Sequence, residues 1–139
     1  YFVFAGSVSP VMWMAAAAVG AHAAAVLAVN NYRDAEHDAR TGRRTFAASF
    51  GTGPAQRLYT LLMFSPFVLC VGIAWLAARP LLLVPLLVLP WAMQLRARFC
   101  STARGEAFTD ILFGTVMLEV AFGTLLAAGA VVSRMLGLP

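Results

Sequence analysis

The sequence predicts an all-α fold, a polytopic membrane bundle of about four transmembrane helices, and three observations carry that prediction. Of its 139 residues, 61% are hydrophobic and 12% are charged, whereas a soluble domain carries about a quarter charged residues. Four apolar runs, Val11–Val29, Leu58–Ala78, Leu81–Met93 and Ile111–Val132, are set apart by polar connections. The basic residues, all arginine, crowd onto alternate connections. No stretch interleaves aromatic and basic residues as nucleic-acid binders do, so no nucleic-acid partner is expected. The lipid bilayer is the expected surroundings.

Tyr1–Gly6 reads as the end of an earlier apolar segment, and Ser7–Pro10 as the turn into the next helix. Residues 1–139 therefore read as the C-terminal part of a longer membrane protein. No basic region followed by a cleavage site marks a signal peptide. The first run, rich in alanine and glycine, suits close helix–helix approach. Its His22 reads as a buried histidine satisfied by a neighbouring helix. At about 1.5 Å per residue the first, second and fourth runs can cross about 30 Å of hydrocarbon. The second contains Pro66, which is expected to kink it. The third is short and crosses only if Gln94, Leu95 and the stem of Arg96 extend it while the guanidinium snorkels to the interface. Pro85 and Pro90 are expected to distort it. The fourth carries Glu119 deep in apolar surroundings, where an acid is costly and faces the bundle interior. Glu119 reads equally as a substrate-orienting group and as a protonated structural residue. Asp110 reads as an N-terminal dipole partner. Cys70 and Cys100 fall at different depths and read as packing residues.

Arg33, Arg40, Arg43, Arg44 and Arg57 follow the first run, and Arg96, Arg98 and Arg104 follow the third. Only Arg79 and Arg134 lie on the other side. The positive-inside rule turns the arginine-rich side to the cytoplasm. Two long connections on that side, Asn30–Arg57 and Leu95–Asp110, hold most of the polar side chains, so function is expected there.

The stretch VNNYRDAEHDARTGRRT, Val29–Thr45, carries the chemistry. Asn30, Asp34 and Asp38 stand at i, i+4 and i+8. Each step drifts about 40° around a helix and rises about 6 Å, so all three project from one face. Mg2+ takes one or two protein carboxylates together with substrate phosphates. Arg33, Arg43 and Arg44 add guanidinium forks that match phosphate oxygens. Gly42 and Thr45 offer a sharp turn with backbone and hydroxyl donors. The combination suggests a magnesium–diphosphate site. The plain alternative is a solvated loop with i, i+4 ion pairs such as Glu36 with Arg40. Tyr32 reads as an interfacial anchor and His37 as solvent-exposed.

The run Asn30-Asn31-x-Arg33-Asp34-x-x-x-Asp38-x-x-x-Gly42-Arg43-x-Thr45 resembles the second aspartate-rich motif of the UbiA superfamily of intramembrane prenyltransferases. Its Asn-Asn-x-Arg-Asp form is similar to that of 1,4-dihydroxy-2-naphthoate polyprenyltransferase of menaquinone biosynthesis. Many members carry Asp at position 30 and Lys at position 43. TVMLEVAFGTLLAAG in the fourth run also resembles the last helix of that subfamily. The resemblance implies a nine-helix fold around a central cavity, of which this chain supplies about the last four helices. It implies Asp34 and Asp38 as catalytic metal ligands, Asn30 as a neutral third ligand, and Arg33, Arg43 and Arg44 on the diphosphate. It further implies Mg2+, a polyprenyl diphosphate and an aromatic acceptor, in a bacterial cell membrane. The first motif, of Asn-Asp-x-x-Asp type, is absent. The chain alone is therefore expected to be inert without the N-terminal half of the same protein. The alternatives are transfer to another aromatic acceptor, 4-hydroxybenzoate or homogentisate, or a non-catalytic four-helix membrane subunit.

Overall fold

The computed structural model describes residues 6–103 and 108–137, and within them every regular element is helical. The expected earlier apolar segment at Tyr1–Ala5 and the expected cytoplasmic Arg104 lie outside the described residues. In chain order the elements are α1 (Pro10–Arg33), α2 (Ala35–Arg40), α3 (Phe46–Phe50), α4 (Thr52–Ala77), a 3-10 segment (Pro80–Val88), α5 (Leu89–Ser101) and α6 (Phe108–Met135). Four helical rods are long and apolar enough to cross a membrane: α1, α4, the 3-10 segment continued by α5, and α6.

Ser9 starts α1 by accepting the Met12 N–H, and Pro10 follows in the first turn, where its missing donor costs nothing. Ala18, His22, Ala25, Val29 and Tyr32 are the buried residues of α1. Their alternating spacing of four and three is that of one helix face. The other long helices repeat the pattern, as with Phe108, Ile111, Thr115, Leu118 and Phe122 of α6. α1 packs most closely on α4, and α6 closes the bundle against α1 and the 3-10 segment. Large apolar side chains such as Trp13, Leu61, Val68 and Trp75 point outward. In water that would be a liability, but in a bilayer it is the ordinary outer surface.

The spans run longer than their apolar runs. α4 begins six residues before Leu58 and passes through the buried Pro66 without ending. The two long polar connections are not open loops. Asn30–Arg57 is mostly helical, and α5 carries the Leu95–Asp110 connection as far as Ser101. Gly51 serves both as the end of α3 and the start of α4, with φ of 81°, a conformation glycine adopts without strain.

The third span departs most from expectation, because its first half is a 3-10 helix nine residues long. Runs beyond three or four residues are uncommon. Pro85 has no N–H to give the Leu82 carbonyl three residues earlier, so that buried acceptor would be orphaned. The Cys70 thiol on α4 donates to it at 2.8 Å. The expected packing role of Cys70 is thus joined to a hydrogen-bonding one. Gly129 of α6 lies against the same backbone, where an added Cβ would collide with the Leu81 carbonyl. Pro90 falls in the first turn of α5 and distorts nothing there.

Two aromatic clusters lock the rods together. His22 stands edge-on to Phe67 and Phe122, and its Nε2 is 3.2 Å from the Met63 carbonyl. The histidine is buried as the sequence predicts, but only half satisfied, since its buried Nδ1 has no partner among the described residues. Nearer the arginine-rich end, Phe99 stacks on Tyr59 at 4.1 Å and meets Tyr32 and Phe108. Tyr32 is 4% exposed, so it is a core residue and not the interfacial anchor expected. The Gln56 amide donates to its hydroxyl, and the surrounding rings bury the rest.

Candidate functional site

The polar edge forms where α1 hands over to α2. Arg33 ends one helix and Ala35 begins the next, but the backbone ladder continues. The Asp34 N–H donates to the Asn30 carbonyl at 3.1 Å, and the Asp38 N–H to the Asp34 carbonyl at 2.9 Å. Asn30, Asp34 and Asp38 therefore keep the i, i+4, i+8 register that places them on one edge.

Arg33 binds two of those three side chains. Its Nε donates to Asp34 Oδ1 at 2.8 Å, and one Nη donates to Asp34 Oδ2 at 3.1 Å and to Asn30 Oδ1 at 2.8 Å. The guanidinium thus holds the Asp34 carboxyl below its usual range, chiefly through this hydrogen bond. Arg33 already meets the oxygens that a divalent cation would take. It is turned toward the acids, not toward Arg43 and Arg44.

Asp38 is different. It is 2% exposed, beside the exposed Glu36 and His37. The Arg43 guanidinium reaches its Oδ1 at 3.5 Å, which is long for a charge-assisted bond. The Arg43 N–H donates to the Asp38 carbonyl at 2.9 Å, and the Thr41 hydroxyl reaches the same carbonyl at 3.2 Å. These bonds fold residues 41–44 back on α2, with Gly42 in the left-handed region at φ of 76°. Thr45 does not serve the groove as a donor. Its hydroxyl accepts from the Ala48 N–H and caps α3.

Among the described residues no three His, Cys, Asp or Glu side chains gather as metal ligands. The donor set available is two carboxylates and one amide oxygen on successive turns. It fits a hard cation in chemistry, since all three are oxygen donors. Asp38 keeps most of a carboxylate's four acceptor positions free of protein partners.

Two cavities are lined by sequence neighbours of this edge, and neither is lined by Asn30, Asp34 or Asp38 themselves. A groove of about 370 Å3 is lined by Ala39, Gly42, Arg43, Arg44, Ala48 and Ser49, so it is polar and basic. An apolar pocket of about 310 Å3 lies between α1, α3 and α4, lined by Leu27, Asn31, Phe46, Leu58 and Leu62 among others. Leu27 and Asp34 are seven residues apart, two helical turns, and so share nearly one azimuth. The pocket therefore lies on the membrane side of the polar edge. Phe46, Ala47 and Leu62 were not anticipated as site residues, because only the packing of α3 on α4 brings them beside α1. Asn31, noted only as part of the motif, is the polar group at that pocket.

Glu119 is half-buried on α6 and makes no hydrogen bond or ion pair among the described residues. No contact joins it to the motif. Asp110 lies in the first turn of α6, 4.0 Å from Arg98. His37 is exposed, as expected.

A family model described as "UbiA prenyltransferase family" matches residues 1–113. A chicken protein named UbiA prenyltransferase domain-containing protein 1 is 32% identical over 136 residues, covering 96% of this chain and 38% of its own length. The human protein of that name is 31% identical, covering 83% of this chain and 32% of its own length. A fruit-fly homologue is 40% identical over 75 residues, 54% of this chain and 21% of its own. The chain spans less than two fifths of each of these relatives. All three come from animals, so they lend no support to the expected bacterial membrane. No solved structure shows a significant match.

Proposed function

Because the chain belongs to the UbiA prenyltransferase family, we propose that it is the part of an integral-membrane transferase that holds a prenyl diphosphate by its head. The polar edge at Asn30, Asp34 and Asp38, backed by a basic groove and standing over an apolar pocket, carries the proposal. Such an amphipathic substrate needs that order of surroundings along one helix face: anion ligands outside, apolar walls within. The remainder of the cavity, with a second acidic cluster, is assigned to another part of the same polypeptide.

Asp34, Asp38 and the Asn30 amide oxygen would hold Mg2+, which when bound supplies positive charge against the leaving diphosphate. Arg43 and Arg44 grip the phosphate oxygens from the groove, as guanidinium forks do. Arg33 moves from the acids toward the arriving diphosphate. The allylic C–O bond then breaks, and both its electrons leave with the diphosphate. The aromatic ring attacks the electron-poor allylic carbon and forms the new C–C bond. Leu27, Leu58 and Leu62 exclude water that would otherwise capture that carbon.

The acceptor proposed is 1,4-dihydroxy-2-naphthoate, on the strength of the paired Asn30-Asn31 before Arg33-Asp34. Loss of its carboxylate as CO2 would restore the aromatic ring, giving the menaquinone precursor. The test is transfer of labelled prenyl diphosphate by the full-length polypeptide, with and without Mg2+, across a panel of naphthoate, 4-hydroxybenzoate and homogentisate. Magnesium-dependent labelling of the naphthoate is expected. Labelling of another ring alone would overturn the acceptor, and no labelling at all the transferase reading.

A further inference from the structure

A second basic recess lies on the opposite side of α4 from the apolar pocket. Gly53, Gln56, Arg57, Thr60 and Leu61 of α4 line it with Arg96 and Cys100 of α5, an open depression of about 570 Å3. Ala55, Leu58 and Leu62, which line the pocket, are centred about 140° around α4 from Arg57, Thr60 and Leu61. The recess also shares no lining residue with the diphosphate groove.

Arg33, Arg43 and Arg98 each have a carboxylate partner within 4.0 Å. Among the described residues Arg57 and Arg96 have no hydrogen bond or ion pair, and no described acidic side chain lines the recess. Two like charges turned into one hollow raise each other's potential and hold it positive. Both arginines are exposed, as a ligand arriving from the membrane surface requires. Leu61, 66% exposed, lies one turn further into the apolar run from Arg57 and offers a hydrocarbon surface beside the charges. One Gln56 N–H is spent on the Tyr32 hydroxyl, which fixes the side chain and leaves the other N–H for a ligand.

We propose that this recess binds a phosphate group presented by the headgroup of an anionic membrane lipid, with Arg57 and Arg96 as its ligands. Phosphate is the anion that guanidinium forks match best. The position, where the apolar runs give way to arginines, is the depth at which lipid phosphates lie. Basic hollows between membrane helices take such headgroups. Free phosphate offers the same oxygens, but it would leave the apolar flank at Leu61 unused.

The test uses the full-length polypeptide in nanodiscs of phosphatidylcholine containing a minor share of phosphatidylglycerol. Phosphatidylglycerol retained by the protein is then counted by native mass spectrometry. Arg57→Gln with Arg96→Gln is expected to lower retention by about tenfold or more, at about 1 kcal/mol for each basic residue. Arg40→Gln with Arg98→Gln removes the same charge elsewhere and is expected to leave retention unchanged. Equal loss in both pairs, or none in the first, overturns the site. A second measurement needs no substitution. Alkylation of the half-buried Cys100 should slow at least about threefold when phosphatidylglycerol replaces phosphatidylcholine, and an equal rate counts against the proposal. If inorganic phosphate binds in pure phosphatidylcholine nanodiscs with the same dependence on Arg57 and Arg96, and phosphatidylglycerol is not retained, the source is free phosphate and the lipid assignment fails.

Discussion

Asp38 is the one acid among the described residues whose side chain is withdrawn from solvent, and a long contact to Arg43 is a poor match for a buried negative charge. Asp34 is the reverse, half-exposed and held by two bonds from Arg33, whose third goes to Asn30. Replacing either acid with Ala in the full-length polypeptide should lower prenyl transfer by on the order of 100-fold or more. Membrane insertion should be unaffected, since neither lies within an apolar run. Turnover assays beside a membrane-extraction control check both expectations. The Arg33–Asp34 pair also sets a pH dependence. Asp34 titrates lower in the folded chain than in the unfolded one, so its contribution is complete above the unfolded value. It is lost as pH falls through the folded value. Thermal midpoints of the wild type and Arg33→Gln should differ by a constant amount from about pH 8 to about pH 5 and converge in stronger acid. A difference that grows on acidification would show that the pair is not what separates them. The register of Asn30, Asp34 and Asp38 was legible in the sequence because helical geometry alone fixes it. Arg33's choice of partners was not, since it depends on rotamers. Tyr32 was misread because its neighbours Phe99 and Phe108 are distant in sequence.

At the scale of elements, apolar run length located the four rods well and their ends poorly. Polar residues such as Thr52, Gly53 and Gln56 continue α4 beyond the run, because helix hydrogen bonding does not require apolar side chains. The two short helices of the motif were read as loop; α3 packs on α1 and α4, and α2 is held against α3 and the end of α1. The prolines gave warning of distortion in the third rod, but not of its 3-10 form. Ala78 ends α4 in the left-handed region, with φ of 52°. Ala78→Gly should therefore stabilise the protein by about 1 kcal/mol. Gly129→Ala should instead cost about 1–3 kcal/mol, although alanine is the better helix former. Thermal denaturation in detergent measures both, and a stabilising Gly129→Ala would mean that α6 does not rest on the Leu81 carbonyl.

For the whole molecule, the arginine distribution places the motif, the groove and the lipid recess at one end of the bundle. A single cysteine introduced at Ser49 in an otherwise cysteine-free chain should react with a membrane-impermeant maleimide only from the cytoplasmic side. One at Arg79 should react only from the opposite side. Labelling of both from one side would contradict the four-span topology. The four spans were the most legible feature of all, because apolar length reports on the bilayer directly. The acceptor was least legible, since the walls that would recognise a ring come from more chain than one motif.

The 3-10 half of the third rod has a consequence for α5 beyond it. A 3-10 helix turns about 120° per residue where an α-helix turns about 100°, so nine residues put everything downstream about half a revolution out of phase. Phe99 stacks on Tyr59, and Arg96 shares a recess with Arg57, with that angular offset in place. Pro85 acts as a phase-setter: were the segment to relax to ordinary winding, the ring would swing out toward lipid and the guanidinium away from its counterpart.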